Sequence, residues 1–309
     1  MFRTPLQKKD YMSTDNLIID STNTFYKTFF IAGKNPRMNS KGERIESVDA
    51  FLNTVSRLLE KFTPKNVFVV CDKKLNPSVP SFRQTTTDNS YKAQRPKIEG
   101  IEHLFYQEDK AYRVLGALGI KLLQPYSLEA DDVIGWLVST HRNQKNIIVS
   151  SDSDFYQFVD ENTQIWNTKE LVTIDTVKTK TGVPPDRYVL YKSIKGDVSD
   201  NIRGVTGYGT VNAARVAIMD DITVEFNPEQ LMVVEHNKSL IDLTNSATMQ
   251  AGELDSYEAQ LKAQQQAVPS QSAFKTITSE YELRTAYSTF NVWTRLYESN
   301  ILSRLISTL

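Results

Sequence analysis

Three short apolar runs punctuate the first half of the chain, and each leads into an aspartate. Leu17-Ile18-Ile19 ends at Asp20, Val67-Phe68-Val69-Val70-Cys71 ends at Asp72, and Asn146-Ile147-Ile148-Val149-Ser150 stops just short of Asp152. Continuous apolar runs of this length predict strands buried on both faces of a parallel sheet. Between the first two, Val48, Phe51, Leu52, Val55, Leu58 and Leu59 recur at the spacing of one helix face. Further helical segments are predicted near 104–118 and 129–140, which completes the strand–helix alternation of an α/β fold. In open α/β sheets the ligand crevice lies beyond the carboxyl ends of the strands, so the strand-end acids are expected to converge there.

The rest of the chain reads differently. Residues 1–15 are expected to form a flexible tail. Segment 73–97 holds Lys73, Lys74, Arg83, Lys92, Arg95 and Lys97 against the single acid Asp88. Pro77, Pro80 and Thr85-Thr86-Thr87 argue against a continuous helix at its start, so a mobile basic loop is expected to lead into a helix near 99–118. Segment 220–258 carries nine acids against Lys238 alone. Residues 260–272 are rich in Gln, Ser and Ala and read as a weakly packed connection. From 279 to 309, Tyr281, Leu283, Tyr287, Phe290, Trp293, Leu296, Ile301, Leu302 and Leu305 are spaced as terminal helices packing on the core. There is no internal repeat.

Composition removes several classes of protein. Cys71 is the only cysteine, so neither an intrachain disulfide nor a cysteine zinc site is available, and a reducing cytoplasmic setting is expected. His103, His141 and His236 have no metal-ligand spacing. No apolar run reaches the roughly 18–20 residues of a membrane helix, and Met1 to Asp10 lacks the apolar centre of a signal peptide. The formal charge of −1 looks unsuited to a nucleic-acid partner. It is an average, however, over an acidic 220–258, a basic 73–97 and the carboxylates considered next.

Those carboxylates are the strongest chemical signal. Glu129, Asp131 and Asp132 fall within four residues, after Ser127, at a predicted helix start; Asp152 and Asp154 follow the third apolar run; Asp197 and Asp200 form another pair. With Asp20 and Asp72 this makes nine acids in five short segments. One acid in a first turn is explained by helix capping. Three within four residues repel one another, and nine in one crevice cannot all ionise without cations. Hard divalent ions such as Mg²⁺ or Mn²⁺ suit an all-oxygen site, and a pair of them is the usual apparatus for cutting phosphodiesters. Gly204, Gly207 and Gly209 lie in Arg203-Gly204-Val205-Thr206-Gly207-Tyr208-Gly209, between helices predicted at 186–194 and 210–219. The spacing is not that of a dinucleotide fingerprint. Two readings stay open: a backbone turn that approaches phosphate, or a plain turn.

Taken in order, these segments resemble the flap endonuclease, or 5′-nuclease, family, which includes the nuclease domain of bacterial DNA polymerase I and phage 5′-exonuclease/RNase H enzymes. Glu129-Ala130-Asp131-Asp132-Val133-Ile134-Gly135 is similar to its E-A-D-D-V-I-G motif throughout. Val69-Val70-Cys71-Asp72 resembles V-V-F-D; Ser81-Phe82-Arg83 with Tyr91-Lys92-Ala93-Gln94-Arg95-Pro96 resembles F-R…Y-K-x-x-R-P; Ser151-Asp152-Ser153-Asp154 resembles G-D-K-D. Gly196-Asp197 through Gly209 resembles G-D-x-S-D-N-I-x-G-V-x-G-x-G. The resemblance implies a PIN-like α/β fold with a mostly parallel central sheet and a helix–three-turn–helix. Residues 16–218 would form the catalytic core, with a gateway or arch at 73–118 and the helix–three-turn–helix at 186–219, followed by a helical region over 219–309.

It further implies a 5′–3′ exonuclease or flap endonuclease that removes 5′ flaps or RNA primers during replication and leaves 5′-phosphate products. Asp20, Asp72, Glu129 and Asp131 would hold one Mg²⁺ or Mn²⁺, with Asp132 beside it; Asp152, Asp154 and Asp197 would hold a second, with Asp200 in the same cluster. Lys92 and Arg95 would contact the scissile phosphate, Arg83 would steer the 5′ strand and Tyr91 would stack on a base. Gly204, Gly207 and Gly209 would meet the duplex backbone, with a bound K⁺. The expected partner is branched, nicked or RNA-primed duplex with a free 5′ end, bound by a monomer in the cytoplasm, the host's if the chain is phage-encoded. Thr210-Val211-Asn212 departs from the basic residue that usually follows the turn. Two competing readings are a catalytically silent DNA-binding module and a PIN-like ribonuclease. The tail is either a packed helical cap or a dock for a single-stranded-DNA-binding protein.

Overall fold

The computed structural model describes residues 12–87, 90–94, 101–120, 122–244, 252–267, 269–284 and 292–294. Strands β1 (Asn16–Asp20), β2 (Asn66–Val70), β3 (Leu122–Leu123), β4 (Asn146–Val149), β5 (Thr163–Trp166) and β6 (Leu171–Val172) form one sheet in the order β3-β2-β1-β4-β5-β6. Every pairing is parallel except β5 with β6. The three apolar runs are β1, β2 and β4, side by side at the centre. The chain leaves β1 for β2 on one flank and returns to β4 on the other, so the order reverses at β1. That reversal opens a crevice at the carboxyl ends of β1 and β4, where ligands bind in such sheets.

Register is pinned at the opposite end. Asn16, Asn66 and Asn146 open the three strands and lie level. Asn16 donates to Asn146 and Gln144 at 2.8 Å, and Asn66 donates to Asn16 at 3.0 Å. A one-residue slip would break this amide ladder and turn every strand side chain to the wrong face. With the ladder in place, Asp20 leaves β1 beside Val70, two residues before Asp72.

Alternate strand residues feed two cores. Leu17, Ile19, Val69 and Val149 face α1 (Ser21–Ala32), α2 (Glu46–Phe62) and the later helices α4 (Ile101–Ala117) and α11 (Gln271–Glu280). The six apolar positions read at helical spacing in 48–59 all lie buried on α2. Ile18, Phe68, Val70 and Ile148 face α5 (Ala130–Thr140) and Tyr257 of α10 (Glu253–Gln265). A third apolar cluster joins α7 (Tyr188–Lys195), α8 (Thr210–Ala217) and α9 (Pro228–Ile241), with hairpin strands β7 (Gly196–Asp197) and β8 (Ile202–Arg203) between the first two. A short helix α6 (Ile174–Thr181) joins the sheet to this unit.

Several expectations are corrected. A short helix, α3 (Phe82–Thr86), forms within the basic segment, with Gln84 Oε1 accepting Ser81 N–H at 3.0 Å at its head. Residues 12–15 are tied down: Thr14 is buried, and its hydroxyl donates to Lys145 O at 2.6 Å. Most of 260–272 is helical, and Gln260 reaches the backbone of Gln124 at 2.8 Å through both ends of its amide. Phe274, Tyr281, Leu283 and Trp293 pack into the first core, which favours the cap reading of the tail and withdraws those residues from partner docking. Residues 1–11 of the tail, and Tyr287, Phe290, Leu296, Ile301, Leu302 and Leu305, lie outside the described residues.

Candidate active site

Asp20 closes β1 and caps α1, accepting from Asn23 N–H at 3.1 Å and from the Ser150 hydroxyl at 2.7 Å. Ser150 follows β4, so one hydrogen bond joins the two strand ends that bound the crevice. Asp72 follows β2; its carboxylate accepts Ala130 N–H at 3.1 Å, and its own N–H donates to the Thr22 hydroxyl at 3.1 Å. Ala130 opens α5 and Thr22 lies in the first turn of α1, so α1, the end of β2 and α5 are stitched around the same point. Burial pushes the Asp20 carboxyl up to about 7; the nearby Asp72 and Asp152 add to the rise, while Ser150 and Asn23 oppose it. Asp131 is raised well above the carboxylate range by burial, against the pull of Lys92, with Asp152, Asp20 and Asp72 repelling it. The ends of β1, β2, β4 and α5 therefore share one field of negative charge.

A second group lies on the other side of Asp152. Asp152 caps the short 3₁₀ helix after β4 (Ser153–Phe158), accepting Asp154 N–H at 2.9 Å. Ligand oxygens of Asp154, Asp197 and Asp200 lie within 4.8 Å of one another. Lys192, on α7, puts its ammonium between Asp154 and Asp197 and pairs with both. Burial raises Asp154 to about 6 despite that ammonium. Burial acts the same way on Asp197, but Lys192 and Ser199 outweigh it and bring the carboxyl down to about 2. The donors in both groups are carboxylate oxygens, the set preferred by hard divalent cations. An ammonium bridging two carboxylates stands where such a site requires positive charge.

The gateway residues divide. Lys92 donates to Glu129 at 2.8 Å and adopts a left-handed backbone, φ 58°. Its N–H donates to Asp200 O, and Asn201 donates back to Ser90 O, so the start of the gateway is sewn to the Asp197–Asn201 turn. Arg95 lies outside the described residues.

Arg83, Asp132 and Tyr91 require correction. Arg83 is only 1 % exposed and makes a two-pronged pair with Asp132, at 2.6 and 2.8 Å, while its Nε–H donates to Leu240 O at 2.8 Å. No face of it is open to a DNA strand. Asp132 is fully buried in that pair and also accepts Glu129 N–H at 2.9 Å, so it serves as a structural anion in place of a metal ligand. Tyr91 is 8 % exposed, with its hydroxyl 3.0 Å from an Asp200 oxygen and 3.2 Å from a Glu129 oxygen, and cannot stack on a base as placed.

The glycines divide as well. A Cβ on Gly204 would sit 2.1 Å from Lys195 O, and one on Gly196 2.3 Å from Gly204 N, so both allow hairpin β7–β8 to press against the end of α7. Gly204 therefore serves packing. Gly207, at φ 88°, and Gly209 face open space at the start of α8. That leaves their backbone accessible to a phosphate.

Lys192 escaped the sequence reading because a lysine on a short helix ordinarily reads as solvated; its one signal was a place five residues before Asp197. Glu108 was also missed. It lies on α4, accepts the Tyr112 hydroxyl at 2.6 Å, and Tyr112 in turn meets Ser21 at 2.6 Å. Burial raises Glu108 to about 7, and the field of Asp72 adds to it.

The family model for the 5′-3′ exonuclease N-terminal resolvase-like domain matches residues 15–182, more than half of the chain. The matched stretch holds Asp20, Asp72, Glu129, Asp131, Asp152 and Asp154 and ends before Asp197. The chain is 32 % identical over 203 residues to a 5′-3′ exonuclease of Aquifex aeolicus, covering 64 % of this chain and 67 % of that protein. It is 33 % identical over 204 residues to the thermostable DNA polymerase I of Thermus filiformis, covering 65 % of this chain but 23 % of the polymerase. It thus spans about two thirds of the stand-alone exonuclease and about a quarter of the polymerase. A flap endonuclease of bacteriophage T5, solved with DNA and metal ions, shares the fold with a TM-score of 0.65 at 19 % identity, over 82 % of this chain and all of that one. Among the described residues no helix is long and apolar enough to cross a membrane. With that family model matching more than half of its residues, the chain belongs to the 5′-3′ exonuclease family and carries its N-terminal resolvase-like domain.

Proposed function

We propose that this chain is a structure-specific 5′-nuclease that uses two divalent ions, Mg²⁺ or Mn²⁺, to hydrolyse phosphodiesters near a free 5′ end. The observation that carries the reading is the crowding of oxygen donors at the strand ends. Asp154, Asp197 and Asp200 lie within reach of one ion, beside Asp20 and Asp131, whose carboxyls burial and mutual repulsion push up. Asp20, Asp72, Glu129 and Asp131 would hold one ion; Asp152, Asp154, Asp197 and Asp200 would hold the other. Bound there, the ions would supply hydroxide and stabilise the departing oxygen. Lys92 would take the scissile phosphate, turning its ammonium from Glu129, with Arg95 as its partner. Lys192 would balance Asp154 and Asp197 as their charge changes. Water adds to phosphorus, the bond to the 3′ oxygen breaks, and the product keeps its 5′-phosphate. The open amides at Gly207 and Gly209 would hold the duplex backbone, with K⁺ as counter-ion.

The proposed substrates are 5′ flaps, nicked or gapped duplex and RNA-primed DNA, met in the cytoplasm by a monomer. One gel tests this: a 5′-labelled flap, a nicked duplex and an RNA–DNA hybrid, with single-stranded RNA alongside, each with Mg²⁺ and with EDTA. Metal-dependent release of short 5′ products is expected, and a protein inert on all three would overturn the reading. Efficient cleavage of single-stranded RNA alone would favour the ribonuclease reading.

The raised carboxyls predict a pH effect visible without DNA. Asp20, at about 7, and Asp154, at about 6, hold protons more tightly folded than unfolded, where the ordinary value is 3.8. Their contribution to stability is complete below that ordinary value and is lost as pH rises through the folded values. Asp197, lowered to about 2, acts only in acid, outside that window. In EDTA these groups should therefore make the melting temperature lower at about pH 8 than at about pH 5.5, and Mn²⁺ should raise it more at the higher pH. An equal Mn²⁺ effect at both would contradict the assignment of these carboxyls to the metal site.

A further inference from the structure

The backbone that enters α5 is held almost entirely by carboxylates. Glu129 N–H ends on Asp132 and Ala130 N–H on Asp72. The three N–H groups before them end on one side chain more than a hundred residues away. Glu253, the first residue of α10, accepts Ser127 N–H at 2.6 Å, the Ser127 hydroxyl at 2.7 Å and Leu128 N–H at 2.9 Å through Oε1, and Tyr126 N–H at 3.0 Å through Oε2. Glu253 is fully buried. Its helix does not depend on it for docking: Gln260 grips the backbone of Gln124, and Tyr257 packs on Trp136 at 5.1 Å between ring centroids. α10 lies beyond the stretch matched by the family model.

We propose that Glu253 is a positioning residue for the α5 carboxylates, acting through the backbone of residues 126–128. The inference rests on the metal-site reading of Glu129 and Asp131. The Ser127 and Leu128 N–H groups are buried, so if they lose their shared acceptor they can regain partners only by moving the backbone. Glu129 follows directly on that backbone, and Asp131 lies two residues further. Metal sites tolerate little displacement of their ligands, and loss of a group that orients ligands typically costs about 10–100-fold in metal affinity.

The test is a calorimetric titration of Mn²⁺ into the full chain, without DNA, for the wild type and the Glu253→Gln, Gln260→Ala and Asp131→Asn variants. Glu253→Gln keeps the size of the side chain, but its single amide oxygen can replace only one of the two carboxylate oxygens, so an NH₂ group faces either Tyr126 N–H or the Ser127 and Leu128 donors. Its Mn²⁺ affinity is expected to fall about tenfold or more. Flap cleavage should return toward the wild-type rate as Mn²⁺ is raised, which a lost catalytic group would not allow. Gln260→Ala loosens the same helix and should lower the melting temperature without changing Mn²⁺ affinity. Unchanged affinity in Glu253→Gln overturns the proposal, and so does equal weakening in Gln260→Ala, which would assign the effect to α10 docking as a whole. A wild type that binds no Mn²⁺, or an Asp131→Asn variant that binds it like the wild type, overturns the metal-site reading and the positioning role with it.

Discussion

Replacing Asp152 and Asp154 together by asparagine is expected to lower cleavage of a 5′ flap about a thousandfold or more while the protein stays folded. The size follows from the several kcal/mol of charge stabilisation that a bound ion contributes to a phosphoryl transition state, each 1.36 kcal/mol being a factor of about ten. Folding should survive for local reasons. The Asp152 cap accepts one backbone N–H, which an asparagine oxygen also accepts. Asp154 is held up at about 6 by burial, so a neutral side chain there relieves repulsion. Lys192 keeps Asp197 as a partner. Single-turnover cleavage and flap binding measured on the same preparation check the result. Binding should persist, since the open glycine turn and Lys92 are untouched. Cleavage near the wild-type rate in the double variant would remove Asp152 and Asp154 from the metal site.

The carboxylates were legible in the sequence because each sits beside a local signal. Asp20, Asp72 and Asp152 follow apolar runs that suit buried parallel strands, and Glu129 to Asp132 open a helix with acids in its first turn. Strands of two residues, Leu122–Leu123 and Leu171–Val172, carry no period and were invisible. The larger failures share one cause, the reading of charged or aromatic residues in a basic segment as facing DNA. Arg83 and Tyr91 are buried because their partners come from elsewhere: Asp132 lies 49 residues on from Arg83, and Asp200 lies 109 residues on from Tyr91. Lys192 and Glu253 were missed for the converse reason. A charged residue on a helix reads as solvated unless something distant needs its charge, and only the fold shows that need.

Arg83 provides the sharpest test of that lesson. Arg83→Met should destabilise the protein by about 3–5 kcal/mol, the usual cost of removing one partner from a buried ion pair. Asp132 would be left fully buried without its two-pronged partner, and Leu240 O would lose its donor. The loss should appear as a lower urea midpoint with an unchanged slope. A double variant, Arg83→Met with Asp132→Leu, should be more stable than Arg83→Met alone, because an apolar pair of similar volume carries no desolvated charge. It should not recover metal affinity, since Asp132 also holds Glu129 N–H at the head of α5. The DNA-steering reading expects the reverse: a stable Arg83→Met protein that binds flaps weakly. The two readings therefore separate on stability alone. The buried geometry commits Arg83 to joining the gateway, α5 and the end of α9, so that Lys92 and Glu129 meet over the crevice.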